Sequence, residues 1–346
     1  MQTEFTRRFG VEHPIIQGPF GGGLSTTLLT ASVSNLGGLG SFGIEPLAPD
    51  EILKLAADIR TRTNKPFNLN LWVSVADPGG ESIDEATFER AWQSFAPYYA
   101  ELGVDKPVRP ARFHQPFEDQ FEAMLEAAPP VFSFVFGIPT ADQLARCRKR
   151  GIATLGAATT IAEAIALDAA GVDGIVATGS EAGGHRVSFL ASAEESLMGT
   201  FGLIQLVAPR VKAPVIAAGG IVDGRGVRAV VELGADAVQI GTGFLACDES
   251  GASARHRAAL FSPQAENTVL TRAFTGRLSR GLKNRLTAEM PTAVVPYPIQ
   301  SWFAGQLKTA ARKQERTDLV SVWSGQIAPN LKHRTASALM AELINL

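Results

Sequence analysis

A chain of 346 residues with 45% apolar side chains can bury a large core, and its 34 glycines suit a fold rich in tight turns. A net charge of −2, with no basic run interleaved with aromatics, removes any reason to expect nucleic acid or an anionic membrane as partner. No apolar run reaches the roughly 18 residues of a membrane span. Met1–Phe5 do not begin a secretory leader, so the cytoplasm is the expected location.

From the N-terminus to about Ala246, short apolar runs alternate with helix-like stretches. The runs predict strands over residues 13–20, 39–43, 67–72, 131–137, 152–158, 174–179, 214–220 and 237–242. They are continuously apolar rather than alternating, as parallel strands covered on both faces should be. Helix signals lie between them. Thr160-Ile161-Ala162-Glu163 reads as a capping box, Asp223 precedes a helix to about Leu233, and Gly171 and Gly234 read as helix stops. Eight such units within about 245 residues match a TIM (β/α)8 barrel, an α/β fold. A doubly wound sheet is the alternative, but it would more often bring an early G-x-G-x-x-G, whereas glycines here cluster after the last three runs.

Two segments break the repeat, so residues 1–247 are expected to form the barrel with extra parts. Residues 73–116, with Asp77-Pro78-Gly79-Gly80 and the aromatic Phe95–Tyr99 stretch, are too long for a simple connection and predict a cap-like insertion. Residues 248–316 form a second irregular segment, expected to cover the substrate. Residues 317–346 should return to the barrel, ending in a helix over 336–345.

In a barrel, ligands meet the C-terminal ends of the strands. There the sixth run breaks into Gly179-Ser180-Glu181-Ala182-Gly183-Gly184-His185, which combines uncovered backbone N–H groups with an imidazole. With an ordinary pKa near working pH, His185 is the candidate general base. Gly219-Gly220 and Gly241-Thr242 end the seventh and eighth runs, where barrels often bind phosphate. The plainer alternative is that these glycines only permit turns. Gln17 with Gly18, ending the first run, and Asn70, ending the third, offer amides to a flat heterocycle such as an isoalloxazine. For Asn70 the alternative is an amide that ties down its own loop.

The other histidines carry less. His13 lies at the wrong end of a strand, His256 between Arg255 and Arg257 reads as solvated helix surface, and His333 beside Lys332 reads as surface. His114, in the inserted segment, is left open. No histidine, cysteine or carboxylate spacing suits a metal, and no G-x-S-x-G elbow follows a strand. Cys147 and Cys247 read as structural thiols.

Several of these pieces together resemble one family. Gln17-Gly18-Pro19, Asn35-Leu36-Gly37-Gly38-Leu39-Gly40, the Glu181–His185 loop, Ala218-Gly219-Gly220-Ile221 and Gln239-Ile240-Gly241-Thr242 are similar to segments of the nitronate monooxygenases. Phe274-Thr275-Gly276-Arg277, Arg280-Gly281 and Ser321-Val322-Trp323-Ser324-Gly325-Gln326 resemble their class I members, so the likeness covers nearly the whole chain. It implies FMN held by Asn70, Thr178, Gly183, Gly220 and the Gln239–Thr242 strand end, with Ile240 and Gly241 among them, while the N–H groups of Gly183 and Gly184 are expected to bind the flavin or the nitro oxygens. His185 matches the catalytic histidine, and the implied substrates are a nitronate or nitroalkane and O2, giving a carbonyl compound and nitrite. A monomer or homodimer is expected. Thr178 stands where many members have glutamine, Phe20 where methionine is common, and Asn68–Trp72 is an unusual form of its motif. These departures bear on the substrate more than on FMN. The competing expectations are an NAD(P)H-dependent flavin reductase of quinones or enoyl thioesters, and a non-catalytic barrel that binds a phosphate ligand.

Overall fold

The structure, a computed structural model, describes residues 2–73, 83–290 and 292–345. Eight parallel strands stand where the apolar runs predict them. They are β1 (Ile15–Gln17), β2 (Gly40–Gly43), β3 (Phe67–Trp72), β4 (Val131–Val135), β5 (Ala153–Ala158), β6 (Gly174–Thr178), β8 (Val215–Ala218) and β9 (Ala237–Ile240). A further short strand, β7 (Gly184–His185), lies between β6 and β8 in the chain. The ladder runs β1-β9-β8-β6-β5-β4-β3-β2. It closes through Leu39, which donates to Ile15 O at 2.9 Å and accepts from Gln17 N at 3.0 Å. The fold is a TIM barrel surrounded by helices.

Most strands are shorter than their apolar runs because glycine and proline take the chain out of the ladder. Pro14 precedes β1, and Gly219 and Gly220 leave β8 with φ of +110° and +70°, values that favour glycine. The helix signals act as read. Thr160 and Glu163 form a reciprocal capping box on helix Ile161–Ala170, which stops at left-handed Gly171. Asp223 accepts from Gly226 N to cap helix Gly224–Glu232.

A second hydrophobic cluster sits apart from the barrel core. Helix Glu85–Glu101 presents Phe88, Ala91, Phe95, Tyr98 and Tyr99 at helical spacing, and helix Ile299–Lys313 answers with Ile299, Phe303, Ala304 and Leu307. The rings of Phe95 and Phe303 stack at 5.3 Å, and Tyr99 OH donates to Phe303 O at 2.7 Å. Each buried ring of this kind contributes about 1.5–3 kcal/mol. Asp77-Pro78-Gly79-Gly80 lies outside the described residues. The final helix, Ala336–Ile344, places Leu339, Met340 and Leu343 in the barrel core.

A second, three-stranded sheet lies outside the predicted elements. Strands β10 (Thr268–Thr271) and β11 (Ser279–Leu282) form an antiparallel sheet with β7, so the expected loop enters a second sheet at its histidine. A two-residue strand has no periodicity to read.

Candidate active site at the barrel mouth

The glycine-rich loop after β6 is fixed by close approach on two sides. A Cβ on Gly219 would lie 2.9 Å from Thr200 Oγ1 and 3.1 Å from Ala182 N, and one on Gly183 would lie 2.6 Å from Gly325 N. Gln326 N donates to Glu181 O at 2.9 Å, and Gly325 N to Thr242 Oγ1 at 2.9 Å. The loop is thus held between the turn after β8 and the C-terminal segment, and Thr242 meets it through Gly325. Glu181 caps helix Thr200–Val207, accepting from Thr200 N at 3.0 and 2.9 Å.

Other glycines leave open space. A Cβ on Gly184 or Gly241 would meet nothing within 4 Å, while one on Gly18 would lie 3.2 Å from Gly241 Cα. The N–H groups of Gly220, Ile221 and Thr242 donate to no backbone carbonyl among the described residues. Uncovered donors beside open space are what an anion needs.

The amides at the strand ends lie deeper. Gln17 is fully buried, its Oε1 accepting from Ser41 N at 2.9 Å and its Nε2 donating to Gly18 O. Asn70 Nδ2 donates to Ser133 Oγ at 2.9 Å, and Asn68 Nδ2 reaches Ser41 Oγ at 3.1 Å and Ser133 Oγ at 2.8 Å. Asn68 Oδ1 is buried without a hydrogen-bond partner. Thr178 Oγ1 donates to Val176 O at 3.4 Å. Gln239 is partly exposed on β9, and the Ile240 side chain belongs to the barrel core.

His185 stands at the end of β7 with Nε2 2.9 Å from Thr275 Oγ1. Aromatic rings surround it, with Trp72 at 4.9 Å, Trp323 at 5.6 Å and Phe136 at 6.1 Å between centroids. Desolvation, and then the charge of Lys308, push the His185 pKa down to about 3. This corrects the expectation of titration near working pH: the imidazole is neutral throughout that range.

The same wall carries groups that the sequence reading did not single out for the site. The Arg277 guanidinium carbon lies 3.7 Å from the Phe136 ring centroid, 4.2 Å from Tyr297 and 5.0 Å from Trp72. Desolvation pulls its pKa to about 10, which leaves it cationic at neutral pH. Tyr297 OH donates to Glu45 Oε1, and desolvation raises the carboxyl pKa of Glu45. Lys308 is lowered to about 8, chiefly by desolvation. These side chains come from separate segments, so no local spacing joins them. Their one signal was the clustering of Phe, Trp and Tyr in the irregular stretches.

The remaining histidines divide. His256 is buried rather than solvated, with Nε2 3.0 Å from Trp323 O and a pKa lowered to about 4 by desolvation. Helix Ala254–Leu260 turns His256 and Leu260 inward between exposed Arg255 and partly buried Arg257, which charge alone does not disclose. His333 is half-buried rather than on the surface, 3.6 Å from Glu342. His13 sits partly buried before β1. His114 borders the aromatic wall, its ring 6.3 Å from Tyr297 and Nδ1 2.8 Å from Gln115 O. Cys147 and Cys247 are buried, and desolvation raises their thiols to about 11 and about 12. Among the described residues no group of His, Cys, Asp or Glu is arranged to hold a metal, and no helix is long and apolar enough to cross a membrane.

With this geometry in place, comparison with known proteins decides the family. The nitronate monooxygenase model matches residues 2–345. The chain belongs to the nitronate monooxygenase family. A nitronate monooxygenase of Pseudomonas aeruginosa is 42% identical, with 99% of each chain covered. The solved nitroalkane oxidase of Streptomyces ansochromogenes superposes with a TM-score of 0.88 at 34% identity, covering 99% of this chain and 96% of that one. FabK from Thermotoga maritima is more distant, at a TM-score of 0.75 and 25% identity, with 99% and 95% covered. The protein is accordingly an oxidoreductase, and its reaction class is oxidation of nitronates or nitroalkanes.

Proposed function

We propose that this family member uses FMN and O2 to convert an alkyl nitronate, or its parent nitroalkane, to a carbonyl compound and nitrite, with His185 as the base. The observation that carries this reading is an imidazole enclosed by Trp72, Phe136 and Trp323, at the end of a loop that packs on a glycine turn with uncovered donors. The residues fit a flavin. Gly219, Gly220, Gly241 and Thr242 would take the phosphate; Gly18, Asn70, Thr178, Gly183, Gly184, Gln239 and the main chain of Ile240 would line the rest. Gln17, already engaged with β2, would support from beneath. When bound, FMN supplies the electron acceptor and the reaction with O2.

His185 removes the proton next to the nitro group. Thr275 Oγ1 lies 3.2 Å from Arg277 O, and we assign its hydroxyl proton to that carbonyl. Nε2–H of His185 then donates to Thr275, leaving the Nδ1 lone pair as the base. The resulting imidazolium and the nearby Arg277 charge stabilise the nitronate in a dry enclosure. The lobe built on helices 85–101 and 299–313 would cover the substrate. A cytoplasmic monomer or homodimer completes the proposal.

Anaerobic mixing tests it. Flavin bleaching by a nitronate, with little by NADH or NADPH, is the expected result; rapid bleaching by reduced nicotinamide and none by nitronate would overturn it. Purified protein without flavin absorbance would instead support a non-catalytic barrel.

A further inference from the structure

Three successive carbonyls at the start of the glycine-rich loop are held by two buried guanidinium groups. Arg186, 1% exposed, donates from Nη2 to Thr178 O at 3.1 Å and Ser196 O at 2.5 Å, and from Nη1 to Gly179 O at 2.6 Å. Arg280, 8% exposed, donates from Nε to Ser180 O at 3.0 Å and from Nη1 to Thr268 Oγ1 at 3.0 Å. Neither makes a direct ion pair with a carboxylate among the described residues. Glu181 and Glu163 act on them only through space, because Glu181 is bound to Thr200 and Glu163 to Thr159, Phe189 and Leu190.

Burying a charge without an ion partner is costly, and a neutral amide could satisfy the same carbonyls at less expense. Glu163 and Glu181 supply opposite charge nearby, yet both guanidinium groups are spent on main-chain carbonyls of the loop, so their role is read from where those carbonyls lie. A Cβ on Gly219 would lie 3.3 Å from Gly179 O, so the oxygen held by Arg186 packs directly on the turn after β8.

We propose that Arg186 and Arg280 are positioning residues for the phosphate end of the flavin site: they hold the carbonyls of Thr178, Gly179 and Ser180 and lend positive charge to the Gly219-Gly220 turn. This rests on the FMN reading above. It predicts a preference for a phosphorylated flavin that depends on charge at positions 186 and 280.

The test compares FMN with riboflavin, which lacks the phosphate, by quenching of flavin fluorescence on apoprotein. R280M should weaken FMN binding about tenfold and riboflavin binding less than about threefold, as loss of one charge-assisted contribution implies. R280K should restore most of the difference. R186M should act in the same direction, and if it does not fold, R280M decides alone. Equal weakening of both flavins, or unchanged FMN affinity, overturns the proposal. If the wild type itself shows no preference for FMN over riboflavin, the cofactor reading falls and takes this one with it. A preference kept intact in R280M removes this proposal only.

Discussion

The two sides of the barrel mouth are built in opposite ways. The glycine side, at the ends of β6, β8 and β9, presents main-chain N–H groups and acts by what its residues lack, since a Cβ at Gly183 or Gly219 would collide with neighbours. The aromatic side presents Trp72, Phe136, Tyr297 and Trp323 around His185 and Arg277, and acts by side chains that exclude water. One side offers donors that do not titrate; the other sets the charge state of an imidazole. Cofactor retention and turnover should therefore separate under mutation.

The largest separation is expected on the aromatic side. H185N should keep FMN and lose about 100- to 10,000-fold in kcat/KM for a neutral nitroalkane, the usual worth of a general base. Pre-formed nitronates, which need no deprotonation, should suffer far less. Equal rates on both substrates in the variant and the wild type would remove His185 as the base. On the other side, G219A forces a φ of +110° on an alanine and puts its Cβ 2.9 Å from Thr200 Oγ1. At about 1–3 kcal/mol of strain, FMN affinity should fall about 5- to 150-fold, with kcat of the flavin-saturated enzyme nearly unchanged. A lowered kcat at full saturation would mean that the two sides are not separable.

The same contrast explains what the sequence disclosed. The glycine side was legible because each turn directly follows its own apolar strand, so Gly219, Gly220, Gly241 and Thr242 are fixed by local pattern and barrel geometry. His185 was legible for the same reason. Its partner was not, because Thr275 lies 90 residues along the chain and reaches the ring only through the pairing of β7 with β11. Arg277, Tyr297 and Glu45 likewise meet only in three dimensions. The arginines beside His256 mask its burial, although helical spacing with Leu260 marks an inward face. The lowered His185 pKa has no sequence signal, because desolvation is a property of the assembled wall and not of the residue type.

Thr275 gives a smaller test of the aromatic side. T275V removes the acceptor for Nε2–H and frees the tautomer, so kcat/KM for a nitroalkane should fall about tenfold, with recovery in T275S. No loss in T275V would leave the tautomer assignment without support.

A thermodynamic effect, which touches neither substrate nor cofactor, treats the two enclosed histidines alike. Folded, His185 and His256 have pKa values of about 3 and about 4, against about 6.5 for an unfolded imidazole. Their neutral forms are the folded ones, so below pH 6.5 the unfolded chain binds protons that the folded chain does not. Stability is insensitive to these groups above that pH and is lost as pH falls through 6.5 toward the folded values. Between about pH 6 and 4.5, each should contribute a slope approaching 1.4 kcal/mol per pH unit. H256N should lower stability at pH 7, since it disturbs the contact with Trp323 O, yet flatten the acid limb by about one proton in denaturant titrations. An unchanged slope would show that His256 is protonated in the fold. Its ring would then be solvated after all, and enclosure by Trp323 would be a property of the His185 side alone.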